Sequence, residues 1–189
     1  RGVVCSASWE ARQYGVRSGM SIARAAKLCP NAMFVPVPGK ACSLKNKEIR
    51  AVLEKFTPIV EGASIDEWYL DMSGTEAVYH NEPLRDTAHK IRTAVKRETG
   101  MSISLGGGTN KLVAKIASDL RKPDGLVIVG EAEIRGLLDP LPIRKLFGLG
   151  AKTAPKVEAL GIYTLRDLRL ADPSRLRPLF GRYTERLQQ

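Results

Sequence analysis

The chain has 189 residues, with 30 Lys and Arg against 20 Asp and Glu, and a formal net charge of +10. This length suffices for one or two domains with a buried core, and the 43% hydrophobic and 26% charged fractions exclude wholesale disorder. No apolar run approaches the roughly 18 residues that a bilayer span needs, so we expect no membrane partner. The basic balance favours a polyanionic partner, and nucleic acid is the commonest one.

The cysteine pattern bears on the compartment. Cys5, Cys29 and Cys42 are widely spaced and form no CxxC pair. An odd number of separated thiols favours neither a disulfide framework nor a zinc site and is typical of a reducing, cytoplasmic environment. The first residues include no initiator Met and no signal-peptide pattern, so we expect further residues before Arg1 in the gene.

Charge divides the chain into three parts. Residues 1–58 have a net charge of +7, residues 59–129 of −1 and residues 130–189 of +4. A near-neutral middle with a tight acidic cluster between two basic flanks suits a site that holds metal cations while its surroundings bind phosphates. Chance variation of surface charge remains an alternative.

Alternating helices and strands are predicted through the middle of the chain. Apolar residues at helical spacing predict helices, and short runs of β-formers predict strands. In chain order we expect a helix at 41–56, a strand-like stretch at 61–72, a helix at 84–98, a strand at 101–105 that Gly106 stops, a helix at 109–120 and a strand at 126–129. Thr109 is the expected N-cap of the last helix, and Leu112 is expected in the core. This order predicts one sheet with helices packed on one face.

Residues 141–160 predict a helical hairpin with Gly148 and Gly150 in its turn. Such glycines let backbone amides approach a phosphate at a helix N-terminus. Lys152 and Lys156 follow the turn and can add positive charge on the same face. The pattern favours binding to a DNA backbone, while an ordinary helical hairpin stays open as the alternative.

The chemistry is expected in residues 64–71, which read SIDEWYLD. Adjacent residues of a flat strand point to opposite faces, so Asp66 and Glu67 can share one site only at a hairpin turn or a bulge. Mg²⁺ takes carboxylate oxygens together with substrate phosphates, and two such ions can activate a hydroxyl and neutralise a leaving pyrophosphate. Asp71 is expected to be structural. A solvated acidic turn remains the alternative.

The string SIDEWYLD closely resembles the palm motif of the Y-family (translesion) DNA polymerases. Residues 6–19 resemble the fingers motif of that family, residues 108–118 with 122–125 its later palm and residues 141–168 its thumb. The resemblance covers nearly the whole chain, and it is closest to the DinB-like branch because the palm carries no large insertions. It implies an α+β fold with small α/β fingers, a polymerase palm and a helical helix-hairpin-helix thumb, at 1–38, 39–129 and 130–189 respectively.

The resemblance also implies roles for individual residues. Asp66 matches a ligand of the catalytic metals, two Mg²⁺ ions in the complete enzyme, and Glu67 matches the adjacent catalytic and metal-binding carboxylate. Arg12 and Lys122 match the cations that hold the incoming triphosphate, since phosphoryl transfer depends on positioning and charge stabilisation. Ser6 lies in the same fingers motif and is expected at the nucleotide.

Further expectations concern DNA and three departures from the family pattern. Lys111 and Lys115, four residues apart on one helix, are expected at the primer-template backbone, with solvated lysines as the alternative. Trp9 stands where the family usually has Tyr, and its indole NH can still donate to the nucleotide. Trp68 replaces a small residue beside the acidic pair, either in the core or facing the site. The first palm strand, with its catalytic Asp and aromatic steric gate, would precede Arg1.

The implied function is template-directed, low-fidelity extension of a primer 3′-hydroxyl from dNTPs in damage tolerance. We expect primer-template DNA and dNTP as partners, a sliding clamp recruited through regions outside this chain, a nucleoid-associated location in the cytoplasm, and little activity from this chain alone. The little-finger domain is expected after Gln189. The alternatives are a non-catalytic DNA-binding protein with a degenerate palm and another palm-like nucleotidyl transferase such as a cyclase.

Overall fold

The computed structural model describes residues 2–146, 148–150 and 152–188, without the side chains of Arg186 and Gln188. The chain divides into two compact units, residues 1–44 and 45–189. In the part of the chain that is described, no helix is both long and apolar enough to cross a bilayer.

The first unit contains two short helices, α1 (Trp9–Gln13) and α2 (Ile22–Leu28). Each begins at a serine whose hydroxyl accepts a backbone N–H of the first turn, Ser8 from Ala11 at 3.2 Å and Ser21 from Arg24 at 3.3 Å. The small core of this unit consists of Val4, Val16, Ala25 and Cys29. The helix α3 (Gly39–Leu53) follows.

An antiparallel hairpin follows α3, formed by β1 (Val60–Gly62) and β2 (Trp68–Leu70). The register pairs Val60 with Leu70 and Gly62 with Trp68. One face of this hairpin packs against a core that α3 and α4 (Leu84–Thr99) share, whose buried residues are Ile49, Val52, Leu53, Ile91, Ala94 and Val95. The predicted helices at 41–56 and 84–98 are thereby confirmed, with small shifts at their ends.

A parallel pair of strands closes the middle of the chain, β3 (Leu105–Gly107) and β4 (Leu126–Ile128), joined by α5 (Lys111–Leu120). Leu105 packs against the α3 and α4 core. Gly106 lies against α5, where an added Cβ would be 2.2 Å from the carbonyl oxygen of Ala114. Consecutive residues of a strand point to opposite faces, so α4 and α5 cover opposite faces of this pair.

The α+β fold class is confirmed, and two details of the expected sheet differ. The described strands form two two-stranded ladders, β1–β2 and β3–β4, in place of one sheet, and helices cover both faces of the second. The sequence pattern predicts strand character and the buried face, but it does not identify which strands share hydrogen bonds. A parallel β–α–β crossover places its helix on one face and leaves the other for a neighbouring helix.

Three local predictions around α5 were wrong. The strand begins at Leu105 and includes Gly106, because glycine there permits the close approach of α5. The N-cap is Asn110, whose side chain accepts the N–H of Val113 at 3.0 Å, and Thr109 lies before it. Leu112 is 40% exposed, because the buried face of α5 consists of Val113, Ile116 and Ala117 and position 112 lies at its edge.

The last part of the chain is helical. It comprises α6 (Ile134–Leu138), α7 (Ala154–Glu158), α8 (Leu165–Leu170), α9 (Pro173–Phe180) and α10 (Thr184–Gln188), with 3-10 turns at 131–133, 143–145 and 181–183. Its core consists of Ile116, Ile143, Leu146, Val157, Ile162, Leu165, Leu168 and Leu176. Because Ile116 belongs to α5, this helical part packs directly onto the β3–α5–β4 unit.

Candidate active site

The acidic pair lies in the turn of the β1–β2 hairpin. The turn closes with a hydrogen bond of 2.9 Å from the N–H of Ala63 to the carbonyl oxygen of Glu67. Ser64 Oγ donates to Asp66 Oδ1 at 2.7 Å and accepts the N–H of Asp66 at 3.3 Å, which orients an exposed carboxylate. The chain therefore has the hairpin turn that a shared site for Asp66 and Glu67 requires.

Glu67 forms an ion pair with Lys115 of α5. The Lys115 side chain is only 16% exposed, whereas that of Glu67 is 38% exposed. Burial alone would lower the pKa of Lys115, but the hydrogen bond from its ammonium to Glu67 and the charges of Asp119 and Glu67 together raise it. A covered ammonium thus lies directly beside one of the two expected metal ligands.

A second contact joins the hairpin to α5 one helical turn earlier. Lys111 Nζ lies 2.5 Å from Glu61 Oε2 and 5.4 Å from the centre of the Tyr69 ring. Glu61 and Tyr69 are register partners, on the hairpin face opposite its core face. Both α5 lysines expected at the DNA backbone therefore already have acidic partners, and Lys115 is mostly covered.

Lys122 lies in the loop between α5 and β4. Its ammonium is 2.6 Å from Asp119 Oδ1, with both side chains partly exposed. Asp119 and Glu61 are not among the site residues predicted from the sequence. The i, i+3 spacing of Asp119 and Lys122 was a usable signal, whereas Glu61 and Lys111 are 50 positions apart and no local pattern connects them.

In the first unit, the three expected nucleotide-binding residues lie at or near α1. Trp9 is its first residue and is 48% exposed. The Arg12 guanidinium lies 5.0 Å from the centre of the Trp9 ring, and Arg12 Nε donates to the carbonyl oxygen of Ala7 at 3.0 Å. Ser6 is exposed just before the helix. Arg12 is thus held at Nε, and its terminal nitrogens, which form no hydrogen bond with the described residues, can bind an anion.

The hairpin around Gly148 and Gly150 has the expected position, but its first arm is the 3-10 turn at 143–145 in place of an α-helix, and its second arm is α7. Gly148 has φ +88°, and the carbonyl oxygen of Gly150 accepts the N–H groups of Thr153 and Ala154 at 3.0 Å each. Lys152 and Lys156 are both exposed beyond this turn. The hairpin therefore presents two exposed lysines next to a glycine-containing turn.

An ion pair braces the two arms of that hairpin. Arg144 binds Glu158 through both carboxylate oxygens, at 2.6 and 2.7 Å. This bidentate contact holds the pKa of Glu158 below its usual range.

Two open questions about the SIDEWYLD segment are resolved. Trp68 packs against the α3 and α4 core, so the large side chain is a packing change on the face opposite Glu67. Asp71 Oδ1 accepts the N–H of Ser73 at 2.9 Å, which lowers the pKa of Asp71, and its backbone carbonyl accepts the hydroxyl of Thr57. Asp71 therefore has the structural role expected of it, and the hydrogen bond to Ser73 places that role in the turn after β2.

Among the described residues, no three His, Cys, Asp or Glu side chains lie together as a preformed metal centre. Asp66 and Glu67 are nevertheless hard oxygen donors in adjacent positions of one ordered turn. Mg²⁺ is usually held by one or two carboxylates, with water and substrate phosphates completing its coordination. The two carboxylates fit that partial ligand set, provided that Glu67 exchanges some of its contact with Lys115 for the cation.

Comparison with known proteins adds two family matches. The model of the impB/mucB/samB family matches residues 1–119, and that of the IMS family HHH motif matches residues 131–162. The DNA polymerase IV of Xanthomonas campestris pv. campestris (strain 8004) is 41% identical over 187 residues, which are 99% of this chain and 52% of that protein. The chain therefore spans about half the length of the curated relatives it matches.

Solved structures match over almost the whole chain. A DinB family error-prone DNA polymerase from Sulfolobus solfataricus superimposes with a TM-score of 0.87 at 32% identity, covering 98% of this chain and 57% of that one. The insertion ternary complex of Dbh DNA polymerase gives a TM-score of 0.87 at 31% identity, covering 100% of this chain and 56% of that one.

Proposed function

The chain belongs to the impB/mucB/samB family, and from that premise we propose that it is the catalytic part of a template-directed DNA polymerase of the low-fidelity, translesion type. The observation that carries the proposal is the hairpin turn with Asp66 and Glu67, set beside the lysines of α5. Adjacent carboxylates with cations nearby suit a reaction in which metal ions and a polyphosphate meet. The printed descriptions of the similar proteins, DNA polymerase IV and error-prone polymerase, support the same class.

Asp66 and Glu67 would hold Mg²⁺ in this proposal. Two bound Mg²⁺ ions would supply activation of the primer 3′-hydroxyl and charge neutralisation of the leaving pyrophosphate. Ser64 holds the Asp66 carboxylate in place through its hydroxyl, so that this ligand is oriented in advance. Lys115 compensates the charge of Glu67 through their ion pair, in which the ammonium is the more covered partner.

Lys122 and Arg12 are the proposed ligands of the dNTP triphosphate. Lys122 is bound to Asp119 by an exposed ion pair, which contributes little stability and can give way to a phosphate. Arg12 offers a planar guanidinium, the geometry that binds two phosphate oxygens at once. In the same segment, the Trp9 indole NH and the Ser6 hydroxyl are proposed to donate to the nucleotide.

DNA binding is assigned to the helical hairpin with Gly148, Gly150, Lys152 and Lys156, as a backbone contact without sequence readout. The domain division proposed with it places the fingers at 1–38, the palm at 39–129 and the thumb at 130–189. Lys111 keeps a proposed contact with the primer-template backbone, since both members of its ion pair are 58% exposed. For Lys115 that contact would compete with its ion pair to Glu67. The three free cysteines suit a cytoplasmic enzyme.

A template-dependence assay tests the proposal. The full-length protein, a primed template and Mg²⁺ are combined with one dNTP at a time. The proposal predicts preferential addition of the nucleotide complementary to the template base, and continued extension opposite a damaged base. DNA binding without any nucleotide addition by the full-length protein would overturn it in favour of a non-catalytic DNA-binding protein.

A further inference from the structure

We propose that Arg92 of α4 is a positioning residue for Lys122, an inference that rests on the proposed triphosphate-binding role of Lys122. Arg92 is 30 positions before Lys122 and belongs to α4, whereas Lys122 follows the end of α5. It acts on the loop of residues 121–125, which connects α5 to β4 and carries Lys122. We call this segment the Lys122 loop.

Arg92 forms two hydrogen bonds with the Lys122 loop, both to Asp124. Arg92 Nη2 donates to the carbonyl oxygen of Asp124 at 2.5 Å and to Asp124 Oδ1 at 2.8 Å. The Arg92 side chain is 20% exposed and that of Asp124 is 40% exposed, so the arginine end of the contact is the better covered. Lys96 Nζ lies 4.0 Å from Asp124 Oδ2 and adds a second positive charge. The hydrogen bond from Arg92 lowers the pKa of Asp124, in agreement with a tight charged contact.

The backbone of the Lys122 loop takes a course that has to be enforced. Asp124 has φ +50°, in the left-handed region that residues other than glycine, asparagine and aspartate rarely adopt. At Gly125 an added Cβ would be 2.0 Å from the carbonyl oxygen of Arg121, so only glycine fits between the end of α5 and the start of β4. Strained backbone persists where surrounding contacts overdetermine it, and Arg92 supplies such a contact on the same residue that carries the strain.

Stability alone does not account for Arg92. Its Nε is a buried donor that has no hydrogen-bond partner among the described residues. An unsatisfied buried donor costs free energy. A buried donor left without a partner, on a side chain whose other end clamps a loop, is the kind of local inconsistency expected where position matters more than stability.

A clamped loop fixes the backbone position from which the Lys122 side chain extends. Its ammonium is bound to Asp119 at 2.6 Å, and both residues belong to the same short stretch of chain as the clamp. With the loop fixed, only the flexible side chain has to move for a phosphate to replace Asp119. Without Arg92 the loop backbone can relax, and the ammonium must be repositioned at an entropic cost each time a nucleotide binds.

The test is a double-mutant cycle in the full-length protein. Complementary dNTP is titrated onto complexes with a dideoxy-terminated primer, so that nucleotide affinity is measured without turnover. The variants are Arg92→Ala, Lys122→Ala and the combination of both. We expect Arg92→Ala to weaken nucleotide affinity on the order of tenfold and to leave DNA affinity unchanged. In the Lys122→Ala background, Arg92→Ala is expected to have no further effect.

Arg97→Ala is the matched control, because Arg97 lies on the same helix, is 72% exposed and, among the described residues, forms an ion pair only with the adjacent Glu98. It should bind nucleotide as the unmodified protein does. Unchanged affinity in Arg92→Ala, or additive effects in the double variant, would overturn the proposal. If Arg92→Ala does not fold, the same cycle is run with Arg92→Lys. Additive losses of nucleotide affinity for Arg92→Lys and Lys122→Ala would likewise overturn the proposal.

The proposed function can fail separately from this inference. If the unmodified protein extends primers by the template but the cycle is additive, only the role of Arg92 is wrong. If the unmodified protein binds no complementary nucleotide on primed DNA, the polymerase assignment itself is wrong.

Discussion

The ammonium of Lys115 contacts the carboxylate of Glu67 across 48 positions of sequence. The contact ties α5 to the hairpin turn that carries both expected metal ligands. It also means that Glu67 has a positive partner before any cation or nucleotide arrives. The acidic turn is therefore ordered, because the ion pair from α5 fixes Glu67 and the hydrogen bond from Ser64 fixes Asp66.

The first prediction compares the two lysines of α5. Lys115→Ala should lower the free energy of unfolding by about 1 kcal/mol, because it leaves Glu67 beside a partly covered surface without its partner. Lys111→Ala should cost less, because Lys111 and Glu61 are both 58% exposed. Urea denaturation of the two variants measures the difference. Equal losses would contradict the special position of the Lys115 pair.

The second prediction concerns the approach of α5 to β3. Gly106→Ala should destabilise the protein by about 3 kcal/mol or prevent folding, because its Cβ would be 2.2 Å from backbone atoms of Ala114 and Ser118. Gly136→Ala is the matched control in α6, where nothing lies within 4 Å of the added Cβ. It should be neutral or stabilising, since alanine is the better helix former. Thermal melts that rank the two variants the other way would refute this packing.

For α4, β3 and α5, the sequence predicted where the helices and strands lie better than it predicted which of them pack together. The helix at Leu84–Thr99 followed from its apolar stripe and the glycine after it. The contact of Gly106 with α5 could not be predicted, because local patterns do not report which backbone will approach a glycine. For the same reason the strand was predicted to end before Gly106, when this residue belongs to it.

In the candidate site, too, the local geometry could be predicted from the sequence but the contacts between distant residues could not. The acidic pair and its need for a hairpin turn followed from strand geometry, and the turn at Ser64 and Asp66 confirms that need. The pairing of Lys115 with Glu67 did not follow, since lysines on a helix face are usually solvated and nothing local indicates a distant carboxylate. The packing role of Trp68 likewise required the fold, because alternation alone does not say which face is buried.

The third prediction concerns DNA binding by the helical hairpin. Replacing both Lys152 and Lys156 with Ala should weaken DNA binding and reduce the slope of log affinity against log salt by about 2, roughly one for each lost phosphate contact. The control is Lys47→Ala, an exposed lysine of α3. A slope that is the same in the double variant and the control would argue against contact between this hairpin and the DNA backbone.

The fourth prediction concerns the pH dependence of the stability that the Asp139–Arg169 ion pair contributes. The hydrogen bond from Arg169 lowers the pKa of Asp139, which that arginine binds at 2.6 and 3.1 Å. A lowered pKa in the folded state contributes stability above the unfolded value of about 3.9, and this stability is lost as pH falls through the folded value. Asp139→Asn should therefore lower the melting temperature at pH 7 more than at pH 3. An equal loss at both pH values would contradict the ionic nature of the contact.

Asp66 is proposed to belong to a metal-dependent nucleotidyl-transfer site, and one pair of variants tests this assignment. Asp66→Asn and Asp71→Asn each remove one negative charge from the same SIDEWYLD segment. Asparagine can preserve the hydrogen bond that Asp66 accepts from Ser64 and the one that Asp71 accepts from Ser73. The measurement is the rate of Mg²⁺-dependent, template-directed primer extension by the full-length protein, with DNA affinity measured alongside.

We predict that Asp66→Asn lowers the extension rate about a thousandfold or more, because several kcal/mol of charge stabilisation in the transition state depend on the metal ligand. DNA affinity should stay unchanged, and Asp71→Asn should extend primers at close to the unmodified rate. Extension by Asp66→Asn at the rate of Asp71→Asn would contradict the account.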